Sequence, residues 1–463
     1  MNRPLPPGIA GSAGEGRAEL EALLKIAPEI DFVDSAIADL CGILRGKRIA
    51  AADAAKLFES GMQIPLSLPL MDARGEMTNA GGHGFSDGDP DGTAWPIPGT
   101  ITRVWGAERP RAQMLMRLCH ADGRALSYDP RSVLERVARK FSDLDLAPLT
   151  ALELEFYLTD PARDDAGRPQ PPLCPREGLR ENAISVYGLD DLDRYQGFLS
   201  ALDDAAALQR VPVSAASSEY APGQFEANLR HQSDPLRAAD HAVFLRQIAK
   251  NAALNKGFRA TFMAKPYAQR AGSGMHVHVS LVDAKGRNIF DNGTIEGSEA
   301  LRFAAGGLAA LMPESMAIFA PNLNAYRRFA PDMFAPVNRR WGFNNRSAGL
   351  RVPVGPSEAR RIEHRCAGAD ANPYLVLAAV LAGVHYGIVN KIDPGPPAAG
   401  NLSREPDMAL PFTLEDALAK MTAGTHLPEY FGEETLALYR EVKMVELNRI
   451  KKVISPAEYD WYL

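Results

Sequence analysis

Cysteine is scarce in this chain of 463 residues, and paired cysteine motifs are absent. Cys41, Cys119, Cys174 and Cys366 stand far apart, with no Cys-x-x-Cys spacing. That excludes a disulfide framework and a cysteine-built zinc site, and it suits a reducing cytoplasm. Long apolar runs are missing too: without about 18 uninterrupted apolar residues, no membrane span is expected. Positive charge is not in excess. The net charge of -6 argues against nucleic acid or an anionic membrane as the main partner. Internal repeats and low-complexity tracts are also lacking. Met1 to Gly16 is rich in Pro and Gly and has no signal-peptide core, so it is expected to form a flexible tail. What remains is 46% hydrophobic and 23% charged, an ordinary globular composition with length enough for two domains.

Hydrophobic periodicity divides the chain. Arg17 to Ile26 reads as an amphipathic helix, Ile30 to Asp39 as a strand, and Cys41 to Arg48 as a turn and second strand. Ala51 to Ser60 reads as a short helix, while Ser67 to Asp72 and Met114 to Cys119 read as short strands. Asn79 to Gly99, rich in Gly, Asp and Pro, is expected to be a long surface loop. Residues 17–125 thus make a small α+β domain. A second domain, 126–463, opens on a helix capped near Asp129 to Ser132 and alternates strands and helices. Apolar helices at Glu299 to Leu311 and Asn372 to Lys391 are expected beneath its sheet.

Four strand-like segments of that second domain carry the chemistry. In Ala151 to Leu158, Leu152, Leu154, Phe156 and Leu158 take one face and Glu153, Glu155 and Tyr157 the other. Burying the apolar face aims two carboxylates the same way, which is costly unless cations or solvent neutralise them. Glu219 precedes a Pro222-Gly223 turn, after which Gln224, Glu226 and Asn228 share a face. Behind Gly272-Ser273-Gly274, His276, His278 and Ser280 alternate with Met275, Val277 and Val279. Arg361, Glu363 and Arg365 repeat the design. Each segment alone is most simply a half-exposed strand. Together, a carboxylate-rich set with one imidazole suits Mg²⁺ or Mn²⁺ rather than zinc. Adjacent arginines, with Arg327, Arg328, Arg346 and Arg351 in a Pro- and Asn-rich run, suit a phosphoryl or carboxylate substrate. These are the parts that phosphoryl transfer needs.

The order of these strings resembles the glutamine synthetase family over nearly the whole chain. The strings are Glu-x-Glu-Phe, Pro-Gly-Gln-Phe-Glu, Gly-Ser-Gly-Met-His-x-His, Tyr-Arg-Arg-Phe, Asn-Arg-Ser-Ala, and Arg-Arg-Ile-Glu-x-Arg followed by Ala-Asn-Pro-Tyr-Leu. The resemblance implies an α+β chain: an N-terminal β-grasp domain, then a catalytic domain with a curved antiparallel sheet flanked by helices. It also implies an ATP-dependent ligase that phosphorylates the γ-carboxylate of L-glutamate and lets an amine displace phosphate. By motif, Glu155, Glu219 and Glu226 would hold one divalent ion, and Glu153, His276 and Glu363 a second. Arg328 and Arg365 would clamp glutamate, with the Gly272 backbone near its amino group. Arg346 would stabilise the transferring phosphoryl group, and His278, Ser280, Arg351 and Arg361 would line the nucleotide. The family's stacked rings imply a homo-oligomer, dodecamer or hexamer, with active sites between subunits.

Departures from the family pattern bear on the acceptor. Phe334 stands where ammonia-using members carry a glutamate before Ala-Pro. The Asp-Gly-Ser-Ser string that helps hold ammonium has no counterpart between Ser67 and Glu76. Ala271 and Glu358 replace an asparagine and a lysine, and Ser403 replaces a regulatory tyrosine. An ammonium ion needs a compact anionic cage, whereas an apolar Phe334 suits the carbon skeleton of a larger amine. The chain therefore resembles the γ-glutamyl-polyamine (glutamate–putrescine) ligase branch. A true ammonia-using glutamine synthetase and a non-catalytic ring protein are the competing expectations.

Overall fold

The computed structural model describes residues 7–180 and 182–463. Two sheets, each with its own strands in sequence, divide the described chain. The first contains β1 (Phe32–Ala38), β2 (Leu44–Ala50), β3 (Met62–Pro65), β4 (Asp91–Pro96), β5 (Thr102–Arg103) and β6 (Arg111–Cys119). Its order is β2-β1-β6-β4-β3, with β5 on β6. The β1–β6 pair is parallel and the others are antiparallel.

The second sheet gathers β7 (Leu146–Thr159), β8 (Val213–Ser218), β9 (Gln224–Leu229), β10 (Arg259–Thr261), β11 (Met275–Asp283), β12 (Trp341–Phe343), β13 (Leu350–Val352) and β14 (Ile362–His364). Its order is β12-β13-β14-β11-β7-β9-β8, with β10 on β7. Only the edge pair β12–β13 is parallel. β7 is the longest strand because its alternation begins before Ala151 and runs on to Thr159.

Helices cover one face of this sheet. Pro235–Asn255 starts on an Asp234 cap and presents Ala242, Leu245, Ile248 and Ala249 to the core. Glu299–Phe319 and Pro373–Asn390 press together where glycines meet. A Cβ on Gly307 would run into the Gly383 carbonyl oxygen and the Gly387 nitrogen. Pro373–Asn390 is long and apolar enough to cross a membrane, but 72% of it is buried inside the fold, which accounts for its composition.

Three stretches differ from expectation. The tail expected to run to Gly16 is helical from Pro7, as part of Pro7–Ile26. Gly16 lets that helix approach the Phe58 ring, since a Cβ there would lie 2.6 Å from it. Met1 to Pro6 lie outside the described residues. The expected loop Asn79 to Gly99 contains β4, whose Ala94 and Trp95 are buried between β3 and β6; flanking Gly, Asp and Pro mask a short buried strand. Ser67 to Asp72, expected as a strand, holds a turn of 3₁₀ helix at Leu68–Leu70, where Pro69 cannot donate to a ladder.

Contacts along one seam join the sheets. Asn372 Nδ2 donates to the Asp39 carbonyl at 2.8 Å, Gln113 Nε2 to Gln209 Oε1 at 2.7 Å, and the Ala73 amide to Glu446 Oε1 at 2.7 Å.

Candidate active site

The apolar face of β7 is fully buried: Leu152, Leu154 and Leu158 are at 0% exposure and Phe156 at 1%. With period 2, this commits Glu153, Glu155 and Tyr157 to the opposite face. Neighbouring registers then bring matching chemistry alongside. His276 on β11 pairs with Glu153, Glu226 on β9 with Glu155, and Glu363 on β14 with His278. Arg351 on β13 pairs in turn with Glu363. Two like charges directly opposite, as at Glu155 and Glu226, destabilise a sheet unless a cation lies between them.

His276 sits at the junction. Its Nδ1 is 3.4 Å from Glu153 Oε2 and 3.8 Å from Glu363 Oε1, and its Nε2 is 3.9 Å from Glu155 Oε1. Glu153, His276 and Glu363 form one compact group, and Glu155, Glu226 and His276 another, each with ligand atoms within 4.8 Å of one another. Glu219 does not join the second group as expected. It lines the same cavity, and Ser217 Oγ donates to its Oε1 at 3.2 Å. Glu155 Oε2 also accepts the Gly274 amide at 2.7 Å, which fixes the carboxylate on the strand beside it.

Electrostatics distinguishes these carboxylates. Burial and the charges of Glu153 and Glu155 push Glu226 up to about 8. Burial and Glu155 push Glu219 up to about 7. Burial would raise Glu363 too, but Arg365, His276, His278 and Arg351 hold it down at about 2. For Glu153, hydrogen bonding from His276 and His278 outweighs burial and keeps the group well below the usual carboxylate range. This donor set fits divalent metal ions: oxygens dominate, one imidazole joins them, and the carboxylates are held close at an energetic cost a cation removes.

A cavity of about 540 Å³ opens over this floor. Its walls include Glu153, Glu155, Glu219, Glu226, His276 and Glu363, with Gly272, His278, Arg328, Phe334, Arg346, Arg351, Arg361 and Arg365. Ser280, expected near the nucleotide, is not among them; it is buried further along β11, opposite Leu149. Arg351 Nη1 bonds Glu363 Oε2 at 2.7 Å, and Arg365 bonds Glu363 Oε1. Arg361 Nε donates to His278 Nδ1 at 3.1 Å, and His278 Nε2 lies 2.9 Å from Glu153 Oε1. Arg328 is buried and donates to the Cys366 carbonyl at 3.1 Å. Gly272 must be glycine for that arrangement, because a Cβ would lie 2.6 Å from Arg328 Cγ and 2.8 Å from the Ala264 carbonyl oxygen.

Residues that hold the wall in place escaped the sequence reading as site residues: Gln224 lines the cavity, and the fully buried Tyr157 bonds a residue that does. Gln224 Nε2 donates to the Gly272 carbonyl at 3.0 Å, and Tyr157 donates to the Ala271 carbonyl at 2.7 Å. Both anchor the Gly-rich segment, and both stand on the polar faces already read from alternation. Tyr187 and Tyr220 also line the cavity; only Tyr220's place beside Glu219 hinted at it.

Comparison with known proteins gives consistent results. The family model for the glutamine synthetase catalytic domain matches residues 127–462. Gamma-glutamylputrescine synthetase PuuA of Escherichia coli K12 is 38% identical, the match covering 96% of this chain and 94% of that protein. Glutamate–isopropylamine ligase of a Pseudomonas species is 32% identical, over 94% of this chain and 95% of that protein. Among solved structures, a GmaS–ADP complex superposes with a TM-score of 0.83 at 26% identity, covering 96% of this chain and 99% of that one.

Proposed function

The chain belongs to the glutamine synthetase family, and from that premise we propose that it is an ATP-dependent ligase joining the γ-carboxylate of L-glutamate to an amine, putrescine or another polyamine or alkyl amine. Two features support an amine over ammonia. Relatives matched along almost the full chain are named for putrescine and isopropylamine. In addition, the aromatic Phe334 lines the cavity where a carboxylate would serve ammonium. The observation that carries the reading is the convergence of five carboxylates, one imidazole from His276 and the guanidinium groups of Arg328, Arg346 and Arg365 on a single cavity.

Glu153, His276 and Glu363 would hold one Mg²⁺ or Mn²⁺ ion, and Glu155 and Glu226, with Glu219 close by, a second. When bound, such ions supply positive charge against the phosphates and the substrate carboxylate. Arg328 and Arg365 clamp the glutamate carboxylate, and the Gly272 backbone takes its amino group. His278, Arg351 and Arg361 line the nucleotide, and Arg346 faces the moving phosphoryl group. A γ-carboxylate oxygen attacks the γ-phosphorus of ATP, the bond to the β–γ bridging oxygen breaks, and ADP leaves. The amine nitrogen then attacks the γ-carbonyl carbon, loses a proton, and phosphate departs with the acyl oxygen.

The protein works as a ring-shaped homo-oligomer in the cytoplasm. Trp461 and Tyr462, at 75% and 80% exposure, are apolar area that a second subunit would cover. The test of the reaction is phosphate release from ATP, glutamate and Mg²⁺, with a panel of amines set against an ammonium titration. Amine-dependent release well above that with ammonium supports the reading. Equal or better turnover with ammonium returns the protein to glutamine synthesis, and no release with any acceptor leaves a non-catalytic ring.

A further inference from the structure

Lys265, between β10 and β11, is 5% exposed, and among the described residues no carboxylate pairs with its ammonium. A buried lysine is ordinarily paired with an acid, because an uncompensated charge is costly away from water. Burial and the charge of Arg328 both lower this ammonium's pKa. Its partners are a carbonyl and a thioether: Nζ donates to the Arg270 carbonyl oxygen and lies 3.5 Å from Met333 Sδ. A methionine here would pack the same stem without that cost, so what the charged end reaches is what sets it apart.

The two partners belong to different walls of the cavity. Arg270 precedes Ala271 and Gly272, which line it and whose carbonyls Tyr157 and Gln224 hold. Met333 lines it from the segment before β12, and beside it Phe334 meets Tyr220 with ring centroids 5.3 Å apart. The backbone of Lys265 makes a third attachment. Its amide donates to Asn324 Oδ1 at 2.8 Å, and its carbonyl accepts from Asn324 Nδ2 at 2.9 Å. Asn324 leads into the 3₁₀ turn Ala325–Arg328, which brings Arg328 to the cavity.

We infer that Lys265 is a positioning residue that fastens the glutamate-binding edge of the cavity, at Gly272 and Arg328, to the amine-binding edge, at Met333 and Phe334. The inference rests on the ligase reading above and goes beyond it, since it assigns a part in the reaction to a residue outside the cavity wall. An ammonium gives three protons in different directions, so one side chain spans both loops. Its loss should free Met333 from the Gly-rich segment and leave the nucleotide wall of His278, Arg351 and Arg361 in place.

The experiment takes the full chain with Lys265→Met, Met333→Leu and both together, and reads KM for glutamate, 1,4-diaminobutane and ATP by phosphate release. Amide hydrogen exchange over residues 266–273 and 329–337 is followed alongside. Lys265→Met should raise KM for glutamate and for the amine roughly 3- to 10-fold, the range of one net hydrogen bond, with KM for ATP unchanged. Met333→Leu keeps the bulk but removes the sulfur, and should raise KM for the amine alone. The double variant should match Lys265→Met for the amine, because both changes remove the same bond. Exchange should quicken in both segments in Lys265→Met and only in 329–337 in Met333→Leu. Unchanged exchange, effects that multiply in the double variant, or a Lys265→Met that loses kcat with every KM intact overturns the inference, while amine-dependent turnover leaves the ligase reading standing. A wild type with no amine-dependent release overturns the ligase reading, and quickened exchange in both segments then still supports the fastening. Met333→Leu, at a half-buried residue, supplies the answer if Lys265→Met fails to fold.

Discussion

Glu363 is 1% exposed and holds two guanidinium groups, with Arg351 Nη1 at 2.7 Å from one oxygen and Arg365 on the other. Removing the carboxylate leaves two positive charges in a buried place, and breaking such a pair costs about 3–5 kcal/mol. Glu363→Ala should therefore unfold at markedly lower denaturant concentration than the wild type. Glu363→Gln, which keeps an acceptor, should lose less. Both should also lose metal-dependent phosphate release, which separates the residue's structural part from its part in the site.

His276 stands between both carboxylate groups, so its loss should affect both candidate metal positions at once. Mn²⁺ titration followed by electron paramagnetic resonance should show two classes of bound ion in the wild type. His276→Ala should weaken both. Glu226→Gln should weaken only the class that Glu155 and Glu226 would hold. If His276→Ala leaves Mn²⁺ affinity unchanged, the ligand assignment is wrong.

Glu226 also makes stability depend on pH. Its folded value is raised to about 8 from 4.5, so between these limits the folded chain holds a proton that the unfolded chain releases. This contribution is complete below the unfolded value and is lost as pH rises through about 8. Metal-free protein should thus melt at lower temperature at about pH 9 than at about pH 6. Mg²⁺ or Mn²⁺ should reduce the difference by neutralising the facing carboxylates. Glu226→Gln should reduce it without metal, and should leave the metal-free protein more stable at the alkaline end.

How much of this was legible beforehand follows from the period of each signal. Strand alternation is strict, so the facing of Glu153, Glu155, His276 and Glu226 could be read directly, and the structure places all four on one cavity. Register is set by long-range pairing and leaves no local trace. Sequence alone therefore could not place His276 in both groups, nor set Glu219 apart from the second. β4 was hidden because its buried Ala94 and Trp95 sit amid loop-forming residues. The Tyr220–Phe334 contact joins residues more than a hundred positions apart, and nothing local announces it.

Gly307 offers a stability test with an internal control. An alanine there would collide with the backbone of Gly383 and Gly387, where neither helix can give way cheaply. Gly307→Ala should destabilise by about 2–3 kcal/mol, the overpacking outweighing a helix-propensity gain of about 1 kcal/mol. Gly14→Ala lies in a helix with nothing within 4 Å of the new methyl group, so it should show the propensity gain alone. Urea unfolding of the two variants should move the midpoint in opposite directions.

The segment carrying Phe334 is fastened by an exposed clasp. Arg404 Nε and Nη2 reach Asp332 Oδ2 at 3.0 and 2.6 Å, and Ser403 Oγ reaches its other oxygen at 2.9 Å. Asp332 takes φ 61 and Phe334 φ 58, so two non-glycine residues in left-handed backbone stand within three positions. Such a conformation persists only where contacts hold it. An exposed ion pair adds little to global stability, so Arg404→Ala should leave the melting temperature unchanged. Its effect should fall on the placement of Phe334 instead. KM for the amine should rise severalfold, while KM for ATP, which the opposite wall would bind, stays constant. Steady-state kinetics with each substrate varied in turn decides the matter: a rise in KM for ATP alone would mean that the clasp serves the nucleotide end of the cavity rather than the amine.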